Sequence, residues 1–292
     1  MILYRSALSV LETLSERFKQ AVIDEESEAV FRSNALLRVL ELLNHLATKD
    51  FLLDDDVDSN DLNEGDPSAT IADVLIYGLD FLIPIITPDL LRSFPLTCDR
   101  YFSFLSFMVS VYEDQLGLKI SRLDENSGKI YLNTFVQHML WGAGAIDGCS
   151  ARLALLGLQT IASFQFNSMR NGKIGFGMNI SSEIFSNTLD RLLQMLIFPA
   201  TCEYGIAMDR LDACSNSLLP LIALNVQRFT QCAQQLIQQQ QPQYQQALIT
   251  SFEKLTTNNG VNLGAIDKGN RIVFVKNMRE FVLEVRSLVL YH

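Results

Sequence analysis

Residues 129–166 read KIYLNTFVQHMLWGAGAIDGCSARLALLGLQTIASFQF, and the middle of this stretch decides the fold. Two runs of helical period, Lys129–Ile146 and Cys149–Phe166, meet at Asp147-Gly148. So short a corner lets the second helix fold back only against the first, as an antiparallel hairpin. Neither helix can bury its apolar stripe alone, so the hairpin needs neighbours.

The same unit recurs outward in both directions. Upstream, Tyr4, Ala7, Leu8, Leu11, Leu14, Phe18 and Val22 step by three and four along one helix face. Asp24, Glu25 and Glu26 open a second helix, whose core face is Leu36, Val39, Leu40, Leu43 and Leu46. The run Asp54–Asp66 is rich in Asp, Asn, Gly and Ser and reads as an acidic flexible loop. Thr70 and Asp73 then have capping-box spacing for a helix through Ile83, apolar nearly all round and so expected to be covered on more than one side. Thr87-Pro88-Asp89 restarts a helix with a capping hydroxyl, proline at the first position and an acid in the first turn. A long helix from Pro95 to Leu116 follows, with Gly117 as its stop.

Downstream, a Gly- and Asn-rich loop over Asn171–Asn179 precedes helices expected at Ser181–Phe198 and Ile206–Leu224. Gln227–Gln238, Gln243–Thr256 and Arg271–Leu290 complete the series. Strand alternation is suggested only at Arg271–Val275, where the continuing Met278, Phe281, Val285 and Leu288 favour helix. The Gln tract Gln234–Gln246 sits within helical pattern and reads as a solvated corner. About ten helices in pairs of roughly 40–50 residues match the period of HEAT or armadillo arrays. The fold expected is therefore all-α: an α-solenoid of stacked antiparallel helix pairs spanning 1–292. A compact helical bundle is the rival architecture.

Composition restricts the function classes. Hydrophobic residues make up 48% of the chain, ample for a core. The most apolar stretch, Ile71–Ile86, carries Asp73 and Asp80 and meets Pro84, so no membrane insertion is expected. With no basic and apolar leader at the N-terminus, the chain reads as soluble and intracellular. The net charge of −10 repels phosphate backbones, and no local basic patch relieves it, so no direct nucleic-acid partner is expected. Basic protein partners suit this field, and the acidic loop is one place for them. Cys98, Cys149, Cys202, Cys214 and Cys232 are widely spaced and read as reduced core residues.

No catalytic cluster is evident, so no enzyme, metal or cofactor is expected. The three histidines, His45, His138 and His292, lie far apart. No spacing suits zinc. Gly172, Gly175 and Gly177 lack the Gly-Lys-Ser/Thr ending of a phosphate loop and read as an inter-repeat loop. Asn179-Ile180-Ser181 matches a glycosylation sequon but is read as the cap of the next helix.

Several stretches in order carry a resemblance: Asp73-Val74-Leu75-Ile76-Tyr77-Gly78, then Ile86-Thr87-Pro88-Asp89-Leu90-Leu91-Arg92-Ser93-Phe94-Pro95, then Cys98-Asp99-Arg100-Tyr101-Phe102. Leu211-Asp212-Ala213, Gln243-Tyr244, Phe252-Glu253-Lys254-Leu255-Thr256 and Phe281-Val282-Leu283-Glu284-Val285 continue it. From about Ala69 onward the chain resembles the C-terminal part of exportins, nuclear export receptors of the importin-β (karyopherin) superfamily. The resemblance implies a HEAT-repeat receptor that binds Ran-GTP and protein cargo together, passes FG nucleoporins, and shuttles between nucleus and cytoplasm. The cargo it implies includes a hypusine-bearing translation factor, Smad-type regulators and, by import, Sox-type factors. The N-terminal repeats that carry most of the Ran grip in that superfamily are not in this chain.

Stacked pairs are expected to leave a curved inner wall, with one ligand altering the fit for another through small rotations between pairs. Partly from the resemblance, Pro95–Leu116, Cys149–Phe166, Ile206–Leu224 and Gln243–Thr256 form the inner row. Asp99, Arg100, Asp209, Asp212 and Glu253 are then candidate cargo-facing residues, the alternative being ordinary solvated helix surface. A generic helical-repeat scaffold without Ran dependence remains the competing function.

Overall fold

The structure, a computed structural model, describes residues 25–53, 71–145, 147–198 and 205–289 together with 9–10, 12–13 and 16. Among these residues there are twelve α-helices, two 3-10 turns and no strand. The fold is all-α, built from stacked helix pairs. The expectations placed on Asp54–Asp66, Thr70, Cys202, His292 and most of Tyr4–Val22 lie outside the described residues. By packing, the chain divides into two compact units, Met1–Leu116 and Gly117–His292.

In the first unit, α1 (Glu25–Leu53) packs against α2 (Ile71–Leu82) and α4 (Pro95–Val111), and the short α3 (Pro88–Ser93) packs against α4. The expected core face of α1 is the observed one: Leu36, Val39, Leu40, Leu43 and Leu46 are all buried. Ser33 and Thr97 meet at 3.1 Å inside this core, and Asn44 donates to the Arg100 carbonyl at 3.3 Å. Thr87 caps α3 by accepting from the Leu90 N–H, with Pro88 in the first turn. α2 buries a broad arc, yet it leaves Asp73, Tyr77 and Asp80 exposed, so one flank faces solvent.

The long helix expected over Pro95–Leu116 is two helices. α4 ends at Val111, Tyr112 leaves helical geometry with φ −117° and ψ 28°, and α5 runs Glu113–Arg122. Glu113 and Asp114 open the new helix, where acids oppose the positive end of its dipole. Gly117 therefore sits inside a helix and stops nothing. Its missing side chain has another cause: a Cβ there would lie 3.1 Å from the Phe164 ring and 3.3 Å from the Gly175 carbonyl oxygen.

The second unit continues with α6 (Glu125–Ala143), α7 (Gly148–Arg170), α8 (Met178–Ile197), α9 (Leu211–Leu224), α10 (Val226–Gln238), α11 (Pro242–Thr257) and α12 (Lys268–Val289). The corners form as their chemistry dictates. The Asp147 carboxylate accepts from the Ser150 N–H at 2.8 Å, capping α7 directly at the Asp147-Gly148 turn. Asp124 does the same for α6 through the Asn126 and Ser127 N–H groups. Asn225 caps α10. At the start of α8 the expected cap fails. Asn179 is already inside the helix, Gly177 occupies the N-cap without a side-chain bond, and the Ser181 hydroxyl donates back to the Gly177 carbonyl.

Packing follows two rows. α6 lies against α7 within its pair and against α8 of the next, while α7 lies against α9. Both helices bury small side chains among leucines and isoleucines: Ala151, Ala154, Gly157 and Ala162 in α7, and Cys214, Ser215 and Ser217 in α9. There the Ser217 hydroxyl donates to the Leu155 carbonyl at 2.7 Å. α9 is the central element; of its residues only Asp212 is exposed, so it does not offer the open helix surface expected of an inner row.

The pattern changes at the end of the chain. α12 packs on α11 and also reaches back to α9 and α8. Phe281 packs at a tilt against Phe252, 4.7 Å between ring centres, and Phe252 meets Phe229 at 6.3 Å, joining α12, α11 and α10. Arg286 donates to the Leu196 carbonyl at 3.0 and 2.6 Å and to the Ile206 carbonyl at 2.8 Å. It thereby satisfies acceptors that the last turn of α8 leaves open. Burial lowers the pKa of this guanidinium, which nonetheless stays charged. Asn277, 2% exposed, donates to the Asn258 and Leu255 carbonyls at 2.8 and 3.3 Å and accepts from Asn259 Nδ2 at 2.8 Å. It closes the C-terminal end of α11.

Candidate protein-interaction site

The five candidate residues divide between the two units. Asp99 and Arg100 stand on α4, half-buried and exposed respectively. Glu253, exposed on α11, directs its backbone carbonyl to the Thr256 and Thr257 hydroxyls and leaves its carboxylate facing outward. Asp209 and Asp212 lie three residues apart where the 3-10 turn Met208–Arg210 enters α9, and the fold brings these two together with partners from other helices.

Around that entry four elements contribute charge. Arg210, almost buried, donates from Nη1 to the Ala145 carbonyl of the α6–α7 corner, and its Nε lies 3.7 Å from Asp209 Oδ1. Arg152 of α7 donates to the Asp209 backbone carbonyl at 3.5 Å and lies 3.9 Å from its carboxylate. Arg279 of α12 forms a two-pronged pair with Asp212, 2.7 Å from Nε to Oδ1, with the second prong from Nη2 to Oδ2. That hydrogen-bonded pair holds the Asp212 carboxyl below its ordinary pKa. Asp147 is likewise lowered, first by the Ser150 backbone bond and only in small part by Arg210.

The arrangement is a row of alternating sign, Arg152–Asp209–Arg210 and Asp212–Arg279, lying over the corners of two helix pairs. Arg152, Asp209, Asp212 and Arg279 are each more than half exposed, so their pairing contributes about 0–1 kcal/mol per pair. Exposed pairs of this strength can exchange one partner for another at little cost. Arg210 differs: it is committed to the Ala145 carbonyl and fixes the corner.

Sequence reasoning singled out the acids and missed their arginines. Nothing in the sequence links Arg152 and Arg279 to these acids, because 57 and 67 positions separate them from the aspartates they meet. Arg152 alone had a local sign, since Gly148–Arg170 holds just two charged side chains, Arg152 and Arg170, whereas the helix of Arg279 is rich in charge. One cysteine also departs from expectation. Cys98, Cys214 and Cys232 are buried, whereas Cys149 is exposed in the first turn of α7.

Among the described residues no helix is long and apolar enough to cross a membrane. No group of three His, Cys, Asp or Glu side chains among them is arranged to hold a metal ion. No known protein-family model matches the chain.

Proposed function

We propose that this chain is the C-terminal, protein-binding part of a nuclear transport receptor, an exportin of the exportin-4 type, and that it performs no chemistry of its own. The observation that carries the reading is the two-row stacking of α6 on α8 and α7 on α9, combined with the ordered resemblance from about Ala69 onward. Helix pairs stacked in register expose long polar flanks without a closed pocket, which suits recognition of folded protein surfaces. The proposed partners are Ran-GTP, a basic protein cargo of the translation-factor or Smad type, and FG nucleoporins. Shuttling between nucleus and cytoplasm follows from that role.

The net charge of −10 favours a basic cargo surface, and exposed Asp209, Asp212 and Glu253 are the contacts proposed for it in the second unit. Asp99 and Arg100 are the proposed contacts in the first. Coupling between Ran and cargo is reciprocal by linkage: whatever factor one adds to the other's affinity is returned.

Purified Ran loaded with GTP or GDP, added to the immobilised chain and to the longest natural protein containing it, tests the reading. GTP-dependent retention of Ran, with cargo binding strengthened in step, is the expected result. Cargo retention that ignores the nucleotide on Ran in both formats would overturn the transport reading in favour of a helical-repeat scaffold.

A further inference from the structure

The last helix, α12, turns Phe274, Met278, Phe281 and Val285 into the core of the second unit. At about 100° of rotation per residue, Lys268, Ile272, Lys276, Arg279 and Leu283 fall on the opposite side, in a stripe about 80° wide. All five are exposed, and the two aliphatic ones, Ile272 and Leu283, by 63% and 61%. These two stand eleven residues apart, about 16 Å along the axis, with Lys276 and Arg279 between them.

The stripe is basic in an acidic protein. The chain has a net charge of −10, yet α12 carries five basic side chains and only two acidic ones. Overall composition hides this excess, because the cations become neighbours only on the helix surface. Glu284 is turned away to Lys254 and Ser251, at 2.8 and 2.9 Å, and Glu280 stands on the flank. Just before the helix, the Asp267 side chain accepts the Asn270 N–H at 3.0 Å. Lys268 and Lys276 form no ion pair among the described residues. Arg279 has Asp212, in an exposed pair that can exchange partners.

The shape and the sign of this surface together restrict its occupant. A straight line of side chains one helix turn apart matches a second helix, whose contact with a neighbour is itself a narrow band. A second copy of this chain does not fit. Pairing α12 with α12 in either direction covers the aliphatic residues but sets Lys276 and Arg279 against the same cations. A flat anionic lipid surface fits less well than a helix, since it would also meet Glu280, Asp212 and the acidic field of the whole chain.

We propose that the outer stripe of α12 binds an acidic amphipathic helix of a partner protein. Two leucine-sized side chains of that helix, eleven residues apart, cover Ile272 and Leu283, and its carboxylates meet Lys268, Lys276 and Arg279. To reach Arg279 the partner takes the place of Asp212. The inference does not rest on the transport reading, and Ran has no part in it.

Fluorescence anisotropy tests it, with the full chain titrated into a labelled helical peptide of about 20 residues. The peptide is alanine and glutamate, with two leucines eleven apart on one face and the glutamates around them. One comparison peptide has the same composition with the leucines on opposite faces, and another has lysine for every glutamate. The designed peptide should bind, and each comparison should bind at least about tenfold more weakly. Ile272→Ser with Leu283→Ser should weaken binding by at least about tenfold. Lys268→Glu with Lys276→Glu, which turns two attractions into repulsions, should also weaken it by about tenfold. Asp212→Asn should tighten binding about two- to fivefold by freeing Arg279, a gain that misfolding cannot produce. No binding of the designed peptide, or equal binding of either comparison, overturns the proposal. Binding that survives both double variants overturns it too, as does unchanged or weaker binding by Asp212→Asn. Retention on phosphatidylserine vesicles without binding of the peptide would assign the stripe to a membrane surface instead.

Discussion

Asn277 offers the sharpest test of how the second unit is held together. Its amide makes three hydrogen bonds at the end of α11, two of 2.8 Å and one of 3.3 Å, in a place almost sealed from water. The Leu255 carbonyl it meets belongs to the last turn of a helix, where backbone acceptors have no partner inside the helix. At about 1 kcal/mol for each short bond and less for the long one, Asn277→Ala should lower stability by about 2–3 kcal/mol. The assay is urea unfolding of the full chain followed by fluorescence. Trp141 is the sole tryptophan and lies in α6, so its signal reports the second unit. Hydrogen exchange should show the loss concentrated over 242–289. Asn259 gives a control: it stands at φ +56°, so Asn259→Gly loses one bond but relieves a left-handed residue and should come out near neutral. A loss below about 0.5 kcal/mol in Asn277→Ala, with exchange unchanged, would refute the reasoning.

Three further outcomes are expected. Phe281→Ala removes a ring that is 2% exposed and packed at a tilt against Phe252, and should cost about 3–5 kcal/mol in the same urea assay. Alkylation of the native chain at neutral pH should modify Cys149 well before Cys98, Cys214 or Cys232, as read by peptide mass spectrometry. The first is exposed, while burial raises the pKa of the Cys214 thiol and pushes Cys232 up to about 12. His138 is held down by burial to about 4, against an ordinary 6.5. The unfolded chain therefore takes up the proton first, so this contribution is intact above about pH 6.5 and is lost as pH falls toward 4. His138→Leu should flatten that part of the urea midpoint profile between pH 4 and 6.5.

How much of this was legible depends on whether the cause was local. Thr87-Pro88-Asp89 and Asp147-Gly148 act through neighbours three residues away, and both corners form as their residues require. The Leu36–Leu46 stripe buries as its spacing demands, and the Gln tract forms the expected corner between α10 and α11. Gly117 misled because its glycine is required by Phe164, a ring brought in by tertiary packing. The break at Tyr112 had a local sign in the Glu-Asp pair that follows it, outweighed by the apolar run before it. The return of α12 onto α8 and α9 rests on Arg286 and Arg279, whose partners are 67 to 90 positions away. A polar residue interrupting a buried stripe, as Asn277 does, was the one available clue to such sites.

The buried tie between α7 and α9 has a mechanical consequence. The Ser217 hydroxyl, buried, bonds to a backbone carbonyl of the neighbouring helix, so neither helix can slide past the other without breaking the Ser217 to Leu155 tie. Any flexing of the second unit is left to joints bridged by longer, softer side chains, such as the glutamine-rich bend between α10 and α11.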